Sequence, residues 1–393
     1  MMRMPGDRNQ NRRLAFYRLK SFFRLKFLTE PLSRVARKYR SFFLPSHFRY
    51  YRRLVRGSSR VETEGEKIAL LDFKTPLMDV DFGRYFSLLF LSLREAGYRV
   101  VIQDNYRFLA GSKRKHLKKQ LFADYPYELA NGTSEQQVAL RFTDSGGRRS
   151  SSRRSSGKNI RLCRIHGNQP ASLRANELWW PFPPFQRPAC IGPRPAKERY
   201  VSALFAGVTC SAYHTRDIQE HNILSRLKMI TCLLDSGLMV REYSDYKTVA
   251  QSSTDRCIYV PRFDRGGYRT TVHIPAHEWL PLLGSADFFI CPPGTQMPFT
   301  HSVIEAMMCG TIPIIEYGHY FNPPLGDGVH ALLFTGASGL IETVEKALAM
   351  DQEHIGRLRN GVLEYYRQHL DFTQFAKRLE DQPGDEVVVR FYA

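Results

Sequence analysis

Long apolar runs are missing from this chain. Nowhere does an uncharged stretch approach the ~18 residues of a membrane-spanning helix, so no transmembrane anchor is expected. The opening residues lack an apolar core followed by a small-residue cleavage site, so a secretory signal is not expected either. Cysteine is scarce and scattered: seven residues, at 163, 190, 210, 232, 257, 291 and 309, with no C-x-x-C spacing. An odd count in that arrangement speaks against a zinc site or a disulfide framework and for a reducing compartment, where the sequon at Asn131 would be idle. Acidic residues are nearly absent from residues 1–60, where Asp7 and Glu30 face 17 Lys/Arg. The rest of the chain balances 40 basic against 36 acidic groups, so the formal charge of +19 belongs to an arm and the body is close to neutral.

What is present is enough for two folded domains: 393 residues, 43% hydrophobic and 12% aromatic. In the arm, Leu14, Phe16, Tyr17, Leu19, Phe22, Phe23, Leu25, Phe27 and Leu28 alternate with Arg18, Lys20, Arg24 and Lys26. Apolar groups every three to four residues predict a basic amphipathic helix ending near Pro31. Three partners suit it: an anionic membrane surface through residues 11–56, the protein's own body with the cations left in water, or nucleic acid. The aromatic content exceeds what phosphate tracking needs, and no nucleic acid partner is expected.

Ile68–Asp72 reads as a buried strand, followed by a loop with Pro76, Asp79, Asp81 and Gly83, a helix over Phe86–Glu95 and a strand over Tyr98–Ile102. That order opens a parallel α/β sheet. Residues 145–158 are Ser-, Gly- and Arg-rich with no apolar side chain, a surface insertion. A strand over Ile160–His166 follows it, and the proline-rich run from Trp180 to Pro195 reads as an interdomain linker. A second α/β series begins with Tyr200–Val208 and a helix over Arg216–Leu234, and continues through Ile258–Val260, Phe288–Cys291, a helix Ser302–Cys309 and a strand Ile312–Ile315. The expected organisation is therefore an arm (1–60), a first Rossmann-like domain (61–195) for the acceptor, a second (196–350) for a nucleotide-sugar, and a helical tail (351–393).

The stretch richest in chemistry runs from Ala286 to Ile315: a buried strand, Cys291-Pro-Pro-Gly294, a short helix, Gly310 and another buried strand. In open α/β sheets ligands sit at the carboxyl ends of strands, where helix N-termini bind phosphate. Pro293, Gly294, Thr295, Thr300, His301 and Ser302 are candidates to hold a diphosphate, and Glu305 to reach a ribose diol. The same Ser302-Val-Ile-Glu305 also fits a capping box, in which Glu305 folds back on the helix start.

This segment resembles the donor domain of exostosin-like glycosyltransferases, which have the two-domain GT-B fold. The likeness rests on Cys291-Pro-Pro-Gly294, Glu305-Ala306 and Gly310-Thr-Ile-Pro-Ile-Ile315, on Ala203-Leu-Phe-Ala-Gly207 with Arg216 upstream, and on Asp327–Phe334 downstream. It covers about residues 198–350. Two departures are visible: Ser302 stands where the family usually has Arg, and Met297 stands eight before Glu305, where one group of retaining enzymes has a second glutamate. The resemblance implies an α/β protein that transfers a sugar from a nucleotide-sugar to a hydroxyl of a glycan or lipid-linked acceptor, by inversion, with no metal and no further cofactor. Gly207 belongs to the implied donor site, and Arg216, Arg262 and His301 are candidates for the missing phosphate charge. Inversion needs a general base, for which Asp79, Asp81 and His166 in the first half are candidates. The expected setting is cytoplasmic and peripheral to a membrane, in polysaccharide biosynthesis. The alternative is a GT-B-like protein that binds glycan or nucleotide without catalysis.

Overall fold

The central strands are short and apolar and bury both faces, as an all-parallel sheet covered by helices requires, whereas strands such as Lys158–Ile165 and Val240–Tyr243 keep exposed polar residues. The computed structural model describes residues 44–59, 67–130, 138–144, 157–165, 173–181, 183–184, 198–209, 221–251, 256–264, 269–270, 272–294 and 297–392. Among them are two such sheets. The first holds β1 (Ile68–Asp72), β2 (Arg99–Gln103), β3 (Glu128–Ala130), β4 (Val138–Thr143), β5 (Lys158–Ile165) and β6 (Glu177–Trp180). The second holds β7 (Val201–Leu204), β8 (Val240–Tyr243) and β9 (Ile258–Pro261), then, after the small hairpin β10 (Phe263–Asp264) and β11 (Arg269–Thr270), β12 (Ala286–Ile290), β13 (Ile312–Ile315) and β14 (Leu332–Leu333). The last strand, β15 (Glu386–Tyr392), returns to the first sheet.

The strand orders are β3-β2-β1-β4-β5-β15-β6 and β14-β13-β12-β7-β9-β8, with every pairing parallel. Two Rossmann-like α/β sheets are thus the fold, as expected. Each has one place where successive connections diverge to opposite sides: between β1 and β4 in the first sheet, between β7 and β12 in the second. A crevice opens outside the carboxyl ends of the strands at such a switch point.

The helices are α1 (Pro45–Gly57), α2 (Arg84–Glu95), α3 (Tyr106–Gly111), α4 (His116–Asp124), α5 (Arg226–Asp235), α6 (Tyr246–Gln251), α7 (Ala276–Gly284), α8 (His301–Met308), α9 (Gly336–Ala349), α10 (Gln352–Tyr365) and α11 (Phe375–Asp381). Among the described residues no helix is long and apolar enough to cross a membrane.

Several expectations are corrected. The tail is helical only to Asp381; β15 then inserts between β5 and β6, where Val387, Val389 and Phe391 are buried and Arg390 pairs with Glu177 at 2.6 Å. Trp180 is not linker but the end of β6, fully buried, stacked on Phe375 at 4.9 Å and edge-on to Tyr85 at 5.6 Å. Residues 221–225 are not helical, so in the described residues the helix expected over Arg216–Leu234 is Arg226–Asp235, with Ser225 as its cap accepting from the Lys228 amide; residues 210–220 lie outside the described residues. The described part of the arm, α1, is docked on the first domain. Leu54 and His47 are buried, the Tyr51 hydroxyl donates to Asp104 at 2.9 Å, and Tyr127 donates to the Leu54 carbonyl at 2.8 Å. Its cations Arg49, Arg52, Arg53 and Arg56 are exposed. The amphipathic helix expected near residues 11–31 and most of the 145–158 insertion lie outside the described residues.

Candidate functional site

In the second sheet the crevice lies between Gly207, just after β7, and the loop Cys291-Pro-Pro-Gly294 after β12. Both positions need glycine. Gly207 has φ 146°, and a Cβ there would stand 3.3 Å from Arg226 and 3.6 Å from Pro292. Gly294 donates its amide to the Pro298 carbonyl, closing a tight turn, and a Cβ would lie 2.4 Å from the Met297 carbonyl oxygen. That turn delivers the chain to Thr300, the N-cap of α8, which carries no side-chain cap; Thr300 and Ser302 instead share a hydroxyl–hydroxyl bond of 2.7 Å. The first amides of α8 form the kind of helix N-terminus that attracts anions.

With Thr300 as N-cap, the capping-box acidic position falls on Val303, so Glu305 is not half of a capping box. It is fully buried and accepts from the Trp279 indole N–H at 2.6 Å. That bond engages its Oε2.

Two arginines that the sequence reading did not single out converge on the helix start. Arg226, first residue of α5, donates to the Pro293 carbonyl at 2.6 Å and the Val208 carbonyl at 2.9 Å, tying together both walls of the crevice. Arg84, first residue of α2 in the other domain, pairs with Asp81 at 3.1 Å and feels the Glu305 carboxylate across the cleft. Burial and the positive charges of these two arginines push the His301 imidazole down to about 3. His301 is therefore neutral at physiological pH. Ser225 as a helix cap is the local signal for Arg226. Arg84 had no local signal beyond its place after the first loop, because its importance depends on the other domain.

In the first sheet the crevice between β1 and β4 is spanned by the loop after β1. Asp144 holds that loop, accepting from the Lys74 and Thr75 amides at 2.8 Å each. Asp79 lies inside: Lys118, itself fully buried, donates to it at 2.8 Å and to the Phe108 carbonyl at 3.1 Å. Burial pulls the Lys118 ammonium down to about 8, with Asp79 opposing. A carboxylate held in this interior pair does not reach an attacking hydroxyl, so Asp79 is withdrawn as a general base. Asp81 stays half-buried at the cleft, paired with Arg84.

Of the other expected site residues, Arg262 is exposed at the carboxyl end of β9, on the far side of β7 from α8. Pro293 and Gly294 line the turn before α8. His166, Arg216 and Thr295 lie outside the described residues. Among the described residues no group of three or more His, Cys, Asp or Glu is placed to hold a metal ion.

No family model matches the chain. No curated protein matches it either. Among solved structures it is similar to HepE of Anabaena in complex with UDP and glucose, at 11% identity and a TM-score of 0.36, over 80% of this chain and 99% of that one. It is also similar to sucrose-phosphate synthase of Thermosynechococcus elongatus, at 12% identity and a TM-score of 0.40, over 80% and 98% of the two chains. For the T4 phage β-glucosyltransferase the identity is 10% and the TM-score 0.38, over 80% and 99%. Similarity at this level carries no argument about what the chain does.

Proposed function

We propose that this protein is an exostosin-like glycosyltransferase that moves a sugar from a nucleotide-sugar to a hydroxyl of a glycan or lipid-linked acceptor, with inversion. The observation that carries the reading is the crevice between β7 and β12, where Gly207, the Gly294 turn, the start of α8 and Arg226 meet, with Arg84 opposite. In the proposed step the Asp81 carboxylate takes the proton of the acceptor hydroxyl, whose oxygen bonds to the anomeric carbon. The bond from that carbon to the diphosphate oxygen breaks on the opposite face, and the departing diphosphate takes the electron pair. The helix start and the two guanidiniums stabilise the charge that develops there, so no metal is needed for that task. Arg84 and Arg226 answer the charge left unassigned by Ser302.

The test is thermal stabilisation by UDP-, GDP- and other nucleotide-sugars. A ligand at a hundred times its dissociation constant adds about 2.7 kcal/mol. One nucleotide class is expected to raise Tm, and the rise is expected to vanish in Gly294→Ala, whose new Cβ would push the turn before α8 out of place. Flat melting curves with every donor would overturn the reading.

A second reading, a nucleotide- or glycan-binding protein without catalysis, is favoured by two commitments: Glu305 to Trp279 and Asp81 to Arg84. Donor binding with no transfer and no hydrolysis would select it.

A further inference from the structure

The loop before α2 carries a large aromatic side chain in the open, on a backbone that disfavours it. Asp81, Phe82 and Gly83 have φ values of 47°, 58° and 85°, three left-handed residues in succession, of which only the glycine adopts that region freely. Strain of this kind persists only where the surroundings over-determine it, and it concentrates at functional sites. Here the surroundings do: a Cβ on Gly83 would lie 2.7 Å from the Lys118 Cβ, and Lys118 is fixed from within by Asp79 and the Phe108 carbonyl. The buried ion pair thus works as a pedestal. What it holds up is Phe82, 55% exposed, its ring 4.9 Å from the exposed imidazole of His116.

Position narrows the use of that ring. Phe82 stands between Asp81 and Arg84, the pair that faces α8 across the cleft, on the domain opposite the Gly294 turn. We propose that Phe82 and His116 form the acceptor subsite, a platform for the C–H face of a pyranose ring whose hydroxyls turn toward Asp81. A sugar ring offers one apolar face and a polar rim, and an aromatic plate beside a carboxylate and an imidazole complements both. This deepens the glycosyl-transfer reading and rests on it for the name of acceptor.

The test uses the full chain, with a panel of immobilised glycans and methyl hexosides as probes. Wild type is expected to bind at least one probe, Phe82→Ala to bind it about tenfold more weakly, and Phe82→Tyr to restore it. Because Phe82 is exposed, the variants should melt with wild type, and the nucleotide-induced rise in Tm should be unchanged in Phe82→Ala. Equal glycan binding by Phe82→Ala overturns the platform, and so does wild type that binds no probe. Loss of the nucleotide response in Phe82→Ala overturns it too, since the ring would then stack on the nucleobase. If no nucleotide-sugar stabilises the protein but Phe82-dependent glycan binding persists, the glycosyl-transfer reading fails and the platform stands.

Discussion

At the scale of single residues, charge placement is what this chain manages most tightly. Asp79 and Lys118 are buried together, and removing one partner of such a pair costs about 3–5 kcal/mol because the other charge is left uncompensated. His301 meets the opposite situation, facing Arg84 and Arg226 with its own proton excluded. The folded state keeps it neutral down to about pH 3, whereas the unfolded chain protonates it below about 6.5. Between those values the unfolded state binds more protons, so this group's contribution to stability is intact above about 6.5 and is lost as the pH falls toward 3. Replacing it, His301→Gln, is expected to flatten the acid side of a Tm-against-pH curve. An unchanged acid slope would show that the imidazole titrates normally.

At the scale of elements, the decisive piece is β15. It has the local pattern of a strand, Glu-Val-Val-Val-Arg-Phe-Tyr, but it lies more than two hundred residues from its partners β5 and β6. Seven register pairs join it to β5 and four to β6, so it fills an interior position of the first sheet. Its end also packs across the domains, Tyr392 lying 5.1 Å from Phe299 in the loop before α8, while Tyr85 donates to the Tyr392 carbonyl. Truncation after Asp385 would leave β5 and β6 with unpaired backbone groups and uncover Trp180. The truncated chain is expected to be insoluble, rather than soluble with a lower Tm; recovery of a soluble, cooperatively melting product would refute that. Helix α8 shows the complementary case. Its bounds were legible to within a residue, Ser302–Cys309 expected and His301–Met308 found, since every determinant lies within thirty residues.

At the scale of the whole molecule, the charge separates into a cationic arm and a nearly neutral body. Helix α1 is part of the body by its contacts, yet it turns Arg49, Arg52, Arg53 and Arg56 outward beside Phe48, which is 50% exposed. If the arm holds the protein to an anionic membrane, each cation near the surface adds about 1 kcal/mol. The cut that tests this belongs before α1, so that Leu54 and Tyr51 stay docked. A chain lacking residues 1–43 is expected to lose most of its binding to phosphatidylserine vesicles and to keep its response to nucleotide-sugars. Undiminished sedimentation with the vesicles would remove the arm from that role.

The sequence by itself determined what is local: seven of the strands (β1, β2, β5, β7, β9, β12 and β13), the Gly207 and Gly294 turns, α8 to within a residue, and the asymmetry of charge. Those follow from hydrophobic period, from glycine where a Cβ has no room, and from counting. Only the tertiary structure decided which residues share a site. It took Asp79 inward to Lys118, turned Glu305 onto Trp279, and brought Arg84 from one domain and Arg226 from the other to His301. It also carried β15 back into the first sheet. Asp79 and Lys118, Glu305 and Trp279, and β15 with β5 meet within one domain, and Arg84 meets His301 across two; in each case the partner is chosen by packing, on which spacing in sequence is silent.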